Sequence, residues 1–138
     1  MYSSRYRIYC VDDDADVLES IELLMVSAGY KIETFVSAQM FLDSVPFNSR
    51  GCLILDVCMP GMDGFALQKK LKEFRSRLQI IFIAGQSKLS DRDYAMEAGA
   101  LGFLQKPFDD ESLLQLIVKA IKKDQGNDKI KTVKEKRK

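Results

Sequence analysis

Residues 52–56, Cys-Leu-Ile-Leu-Asp, constrain this 138-residue chain more than any other stretch. Four apolar residues run without a polar break into one carboxylate, and the loop Val57-Cys58-Met59-Pro60-Gly61-Met62-Asp63-Gly64 follows. A short continuous apolar run closed by turn residues, with a helical pattern after it, is the signature of a parallel strand buried on both faces. Asp56 then stands at the carboxyl end of that strand, where open α/β sheets place their ligand crevices. An Asp in a turn is also an ordinary placement, so the rest of the chain must decide between these readings.

The same unit recurs along the sequence. Ile8-Tyr9-Cys10-Val11 ends in Asp12-Asp13-Asp14, and Val17, Leu18, Ile21, Leu24, Met25 and Ala28 then fall on one helical face closed by Gly29. Asp14 or Asp16 can cap this helix, with Glu19 placed for a capping box with Asp16. Lys31–Phe35 alternates polar and apolar as a strand near the sheet edge does, and Ser37 caps a short helix through Phe41 and Leu42, ending by Pro46. Beyond Asp56, Asp63 caps a helix predicted to turn Phe65, Leu67, Leu71 and Phe74 inward. Leu78–Ala84 is a fourth strand, residues 90–98 a short helix ending at Gly99, and Gly102–Gln105 a fifth strand stopped by Lys106-Pro107. Asp109 or Asp110 caps a last helix carrying Leu113, Leu114, Leu116, Ile117, Val118 and Ile121. Five βα units with short connections predict a parallel sheet with helices on both faces and right-handed crossovers. Five strands are too few for an eight-stranded barrel, so the expected architecture is a doubly wound α/β fold of five strands, order 2-1-3-4-5, and five helices.

Composition narrows the chemistry. The chain contains no histidine, which removes Ser-His and Cys-His catalysis and His-ligated metals. Three cysteines (Cys10, Cys52 and Cys58) without CxxC spacing argue against a disulfide framework or a zinc site, and a reducing cytoplasm is the simplest setting. No apolar segment approaches the roughly 18 residues needed to cross a bilayer, and residues 1–7 lack the apolar core of a signal peptide. Residues 119–138 hold nine basic and three acidic residues, so a basic tail follows a mildly acidic body. The expected division is a domain over residues 1–123 and a polar linker or disordered tail over 124–138.

In the order 2-1-3-4-5, strands 1 and 3 are neighbours at the switch point. Asp12, Asp13 and Asp56 converge there. Two such charges about 4 Å apart repel by roughly 4 kcal/mol at an effective dielectric near 20, so the cluster calls for positive charge. A divalent cation and the ammonium of Lys106, after strand 5, are the two candidates. Oxygen-only ligands that leave room for water and phosphate favour Mg²⁺ over Ca²⁺ or zinc. A carboxylate beside such an ion can attack a phosphoryl group, with the metal and a lysine neutralising the transition state.

With these residues in place, the chain resembles the receiver domain of bacterial two-component response regulators, of flavodoxin-like, chemotaxis-regulator-like fold, over about residues 6–123. The matching pieces are Val11–Asp14, Leu55–Gly64, Gly99–Leu104 and Lys106-Pro107-Phe108. The resemblance implies Asp56 as phosphoacceptor and Mg²⁺ held directly by Asp13, Asp56 and the backbone carbonyl of Cys58, with Asp12 acting mainly through a bound water. It also implies Lys106 pairing with Asp56 and later with a phosphoryl oxygen, and a cis peptide at Lys106-Pro107. The implied donor is a phosphohistidine on a sensor histidine kinase or phosphotransfer protein. A phosphate on Asp56 would shift the face of helix 4, strand 5 and helix 5 toward an output domain, a partner protein or a second copy. No membrane partner is implied, and nucleic acid only through an output domain not in this chain. The module would catalyse only its own phosphotransfer and dephosphorylation.

One position departs from the family. Where it usually has Thr or Ser, 28 residues after the acceptor, this chain has Ala84. The missing hydroxyl forfeits one charge-assisted hydrogen bond, on the order of 1.5–3 kcal/mol, and normally its movement lets an aromatic, here Phe103, turn inward. The alternative expectation is a constitutive docking domain with weakened switching. Cys58 and Gln86, the neighbours that would tune phosphoryl lifetime, offer no strong general base, so fast self-hydrolysis is not expected. A phosphohydrolase of the D-x-D type fits less well, because the acceptor follows strand 3 and the loops are too short to enclose a substrate. Sequence leaves open whether this is a stand-alone receiver or part of a longer regulator.

Overall fold

The computed structural model describes residues 6–136, with side chains through Gly126. The chain alternates strand and helix throughout: β1 (Arg7–Val11), α1 (Ala15–Ser27), β2 (Lys31–Phe35), α2 (Ala38–Ser44), β3 (Cys52–Asp56), α3 (Gly64–Glu73), β4 (Gln79–Ala84), α4 (Leu89–Glu97), β5 (Gly102–Gln105) and α5 (Asp110–Lys136). All strands pair in parallel, in the order β2-β1-β3-β4-β5. This is the doubly wound sheet expected from the sequence.

Strand periodicity divides the core into two layers. Tyr9, Val11, Leu53, Leu55, Phe82 and Ala84 point to one face, where Phe41 of α2, Leu67 and Leu71 of α3 and Ala95 of α4 cover them. Ile8, Cys10, Ile54, Ile81 and Ile83 point to the other, beneath Leu18, Ile21 and Met25 of α1 and Leu113, Ile117 and Ile121 of α5. Because side chains alternate with period two, neighbours in sequence serve opposite layers. Both faces of β3 are covered, which is why its sequence is apolar without alternation. Cys10, Cys52 and Cys58 are free thiols, the first two buried and the third exposed.

Short polar side chains set the helix starts. Asp14 caps α1 by accepting from the Asp16 N–H at 2.9 Å, Ser37 caps α2 through the Met40 N–H at 3.1 Å, and Asp63 caps α3 through the Ala66 N–H at 2.8 Å. The cap of α1 is therefore Asp14 rather than Asp16, and the bond between these two takes the place of the box expected with Glu19. At α4 the Asp91 carboxylate reaches back to the Lys88 N–H at 3.0 Å.

Two expectations need correction. Phe74 does not turn inward: α3 ends at Glu73, Phe74 is its C-cap, and Arg75 takes a positive φ of 57°. The chain thereby leaves the helical stripe, and the Phe74 ring stacks on Phe47 at 4.0 Å between centroids on the outside of the molecule. In addition, α5 does not stop near Lys123. Its backbone stays helical to Lys136, through the stretch whose composition reads as linker; residues 1–5 and 137–138 lie outside the described residues. A physical anchor sits at the point where the apolar stripe runs out. Asp124 accepts hydrogen bonds from the Tyr6 hydroxyl at 3.0 Å and from Gln79 Nε2 at 2.9 Å, tying α5 to the amino ends of β1 and β4. Burial and the neighbouring Asp124 carboxylate both push the Tyr6 hydroxyl well above its usual pKa, so it remains a donor. Replacing Asp124 with Ala strands both donors and should lower unfolding stability by on the order of 1–2 kcal/mol. Chemical denaturation, with amide exchange along α5 as a local readout, measures the loss.

Candidate functional site

The carboxyl ends of β1 and β3 meet at the centre of the sheet. Val11 pairs in register with Leu55, so the next residues, Asp12 and Asp56, face one another beyond the last apolar pair. Backbone bonds fix both: the Asp12 N–H donates to the Phe35 carbonyl at 3.1 Å, and the Val57 N–H, just after Asp56, donates to the Ile83 carbonyl at 3.0 Å. Gly64 closes the far side of the loop. Its N–H donates to the Val57 carbonyl at 2.9 Å, and a Cβ at this position would collide with the Asp56 carbonyl oxygen. Only glycine allows α3 to begin so close beneath the strand end.

Asp12, Asp13 and Asp56 each offer a carboxylate oxygen, and these oxygens lie within 4.8 Å of one another. Asp12 is 0% and Asp56 4% exposed, whereas Asp13 is open to solvent. Lys106 reaches into the same space from the end of β5. Its Nζ donates to Asp12 Oδ2 at 2.8 Å and to Asp56 Oδ1 at 3.4 Å. The shorter bond is to Asp12, whose other oxygen, Oδ1, accepts the Asp14 N–H at 2.9 Å at the start of α1. Asp12 is thus held on both oxygens. Lys106 is positioned through its own backbone, its N–H donating to the Ala84 carbonyl at 2.7 Å, and the peptide between it and Pro107 is cis.

The electrostatics follow from this packing. Burial, then the Asp12 charge and to a smaller extent that of Asp13, raise the Asp56 carboxyl to a pKa of about 6, while Lys106 pulls the other way. Desolvation works against the ammonium of Lys106, but its bonds to the two carboxylates outweigh this and raise its pKa, so it stays charged. A carboxylate whose pKa is raised by burial and like charge, beside a fixed cation, is typical of a functional site. The donor set of three carboxylates also suits a hard divalent cation with oxygen ligands.

Of the other residues marked in the sequence, Ala84 is 1% exposed at the end of β4, in register with Gln105. Phe103, on β5, is half-buried and packs against Phe82 at 6.2 Å between ring centroids. Cys58 lies exposed in the loop after Asp56. Three positions with a structural part in the site are not anticipated from the sequence: the Asp14 amide on Asp12, the Ala84 carbonyl under Lys106, and the contact of Gly64 with the Asp56 backbone. The Asp63-Gly64 pair at the helix start is the one signal that points toward any of them.

A doubly wound sheet with three carboxylates and a lysine at its switch point defines a class of acid-pocket α/β domains, and sequence comparison places the chain within it. The response regulator receiver domain family matches residues 8–118, and the chain belongs to that family. It is 40% identical over 120 residues to the transcriptional regulatory protein FixJ of Bradyrhizobium diazoefficiens, covering 87% of this chain and 58% of that protein. It is 45% identical over 115 residues to the response regulator protein TodT of Pseudomonas putida, covering 83% and 51%. The chain therefore spans little more than half the length of these relatives. Among solved structures, full-length FixJ from B. japonicum superposes with a TM-score of 0.80 at 40% identity, covering 87% of this chain and 59% of that one. The beryllofluoride-activated DrrB receiver domain gives 0.74 at 27% identity, covering 85% and 97%. Among the described residues, no helix is long and apolar enough to cross a membrane.

The raised Asp56 pKa has a definite sign. Between its unfolded value near 4 and its folded value of about 6, the native state binds more protons than the unfolded state, so this group's contribution to stability falls as pH rises through that window. Without divalent cations, Asp56→Asn should raise the melting temperature at pH 7, by an amount corresponding to on the order of 1–2 kcal/mol, and the gain should shrink toward pH 4. Thermal melts across pH 4–8 check both the sign and the window.

Proposed function

We propose that this receiver domain is a phosphoacceptor switch: Asp56 takes a phosphoryl group from a phosphohistidine on a sensor kinase or phosphotransfer protein. The observation that carries this reading is the Lys106 ammonium, 2.8 Å from Asp12 and 3.4 Å from Asp56, inside a three-carboxylate cluster. An Asp56 oxygen attacks phosphorus, the bond from phosphorus to the imidazole nitrogen breaks, and the electron pair leaves with the imidazole, which takes up a proton. With a pKa of about 6, Asp56 is ionised and nucleophilic at neutral pH. Lys106 is placed to neutralise phosphoryl oxygens as charge develops on them. Asp13, Asp56 and the carbonyl of Cys58 would hold Mg²⁺ directly; Asp12, occupied on both oxygens by Asp14 and Lys106, would act indirectly. When bound, Mg²⁺ supplies further neutralisation of the phosphoryl charge.

The module turns over only its own aspartyl phosphate and acts on no separate substrate. Its output passes to a downstream domain, a partner protein or a second copy across α4, β5 and α5. Ala84 supports a second reading, in which the domain docks a partner regardless of phosphorylation, because the buried end of β4 offers no hydroxyl to a phosphoryl group. Partner affinity with and without phosphorylation separates the two, and equal values favour constitutive docking. Under the switch reading, Ala84→Thr should increase the ratio of those affinities by about tenfold or more, the equivalent of one charge-assisted hydrogen bond.

The acyl-phosphate mimic beryllofluoride should bind only with Mg²⁺, and Asp56→Asn should abolish binding, as read by fluorine NMR. Retention of bound beryllofluoride in that variant would overturn the assignment. Since protonated Asp56 is neither nucleophile nor good cation ligand, binding should also weaken as pH falls below about 6.

A further inference from the structure

With a methyl group at position 84, the end of β4 carries no hydroxyl to follow a phosphoryl group, yet a second physical connection leads from Asp56 toward α4. Gly64 lies against the Asp56 carbonyl and is bonded to Val57, so the strand end and the first residue of α3 are in direct contact. The next residue, Phe65, is half-buried and packs two ways. Its ring meets Tyr94 of α4 edge-on at 5.1 Å between centroids, and it meets Phe82 of β4 at 5.3 Å. Phe82 in turn touches Phe103 on β5 at 6.2 Å. One helical turn after Phe65, Gln68 is 3% exposed and donates through Nε2 to the Ala95 carbonyl of α4 at 3.2 Å. The ring contact and the buried hydrogen bond hold the first turns of α3 against adjacent residues of α4, because positions three apart share one helix face.

We infer that Phe65 and Gln68 form a transmission contact that carries a change at Asp56 through α3 to α4, independently of any hydroxyl at position 84. The contact consists of packed rings and a buried bond between rigid elements. Such elements move as units and pass a displacement on rather than absorbing it. Phe65 and Tyr94 are positioning residues, acting through their ring contacts with each other and with Phe82. This inference rests on Asp56 being the phosphoacceptor.

The test separates binding from response. In the wild-type domain, beryllofluoride with Mg²⁺ should shift the Tyr94 ring and Ala95 amide NMR signals. Phe65→Leu keeps an apolar side chain but removes the ring. It should leave beryllofluoride affinity within about twofold while reducing those shifts by half or more. Tyr94→Leu, at a site 54% exposed and thus tolerant of change, should reduce the Ala95 shift similarly, and the double variant should lose little more than either alone. Undiminished Ala95 shifts in either single variant, or additive losses in the double variant, would overturn the route. A parallel fall in affinity and response would also overturn it, by showing that Phe65 supports the acid pocket itself. Failure of the wild-type domain to bind beryllofluoride would instead overturn the phosphoacceptor reading, and this inference with it.

Discussion

Two carboxylates buried side by side need a cation between them, and the structure is arranged to keep one there. Asp12 and Asp56 lose nearly all contact with water, and their repulsion, roughly 4 kcal/mol at about 4 Å in a medium of effective dielectric 20, would otherwise oppose folding. Lys106 answers this with bonds to both. The backbone of the lysine is bonded to the end of β4, and β4 is bonded to β3 along five residue pairs. Strand order, register and charge compensation are therefore one constraint. The same arrangement leaves Asp56 under-neutralised, since a single ammonium bonded more closely to Asp12 serves two acids. Burial and the neighbouring Asp12 charge, only partly offset by Lys106, raise its pKa and make it receptive to further positive charge or to an electrophile.

Much of this was legible in the sequence because the signals are local. Unbroken apolar runs ended by Asp, Gly or Lys-Pro mark strands covered on both faces, and helical spacing between them marks the covers. The doubly wound order 2-1-3-4-5, the natural choice for five such units, then brings Asp12, Asp13 and Asp56 together. Ser37 and Asp63 could be named as caps because a cap is a contact over two or three residues.

What escaped the sequence depends on reach across the fold. The preference of Lys106 for Asp12 is set by side-chain geometry at a distance of 94 residues in sequence. The anchoring of Asp124 by Tyr6 and Gln79 joins three elements, and no composition rule sees it. For this reason the chain after Lys123 reads as linker although its backbone is helical. Phe74 lies on the inward stripe by spacing alone, but the helix ends one residue too early and a positive φ at Arg75 turns the chain away. The contact of Phe65 and Gln68 with α4 requires knowing which helices are adjacent on one face of the sheet. Family likeness points to position 84 as the place where a switch is built, and the packing around Phe65 provides a connection that the family pattern does not mark.

The most direct measurement is chemical location of the phosphoryl group. The domain is incubated with a small acyl phosphate and Mg²⁺, the product is reduced with borohydride, and peptides are sequenced by mass spectrometry. An acyl phosphate at Asp56 is reduced to homoserine at that position, and this is the expected result, lost when Mg²⁺ is chelated or Lys106 is replaced by Ala. Homoserine at Asp12 or Asp13 instead, or no reduced residue at all in a folded protein supplied with Mg²⁺, would contradict the assignment of this charge cluster as a phosphoacceptor site.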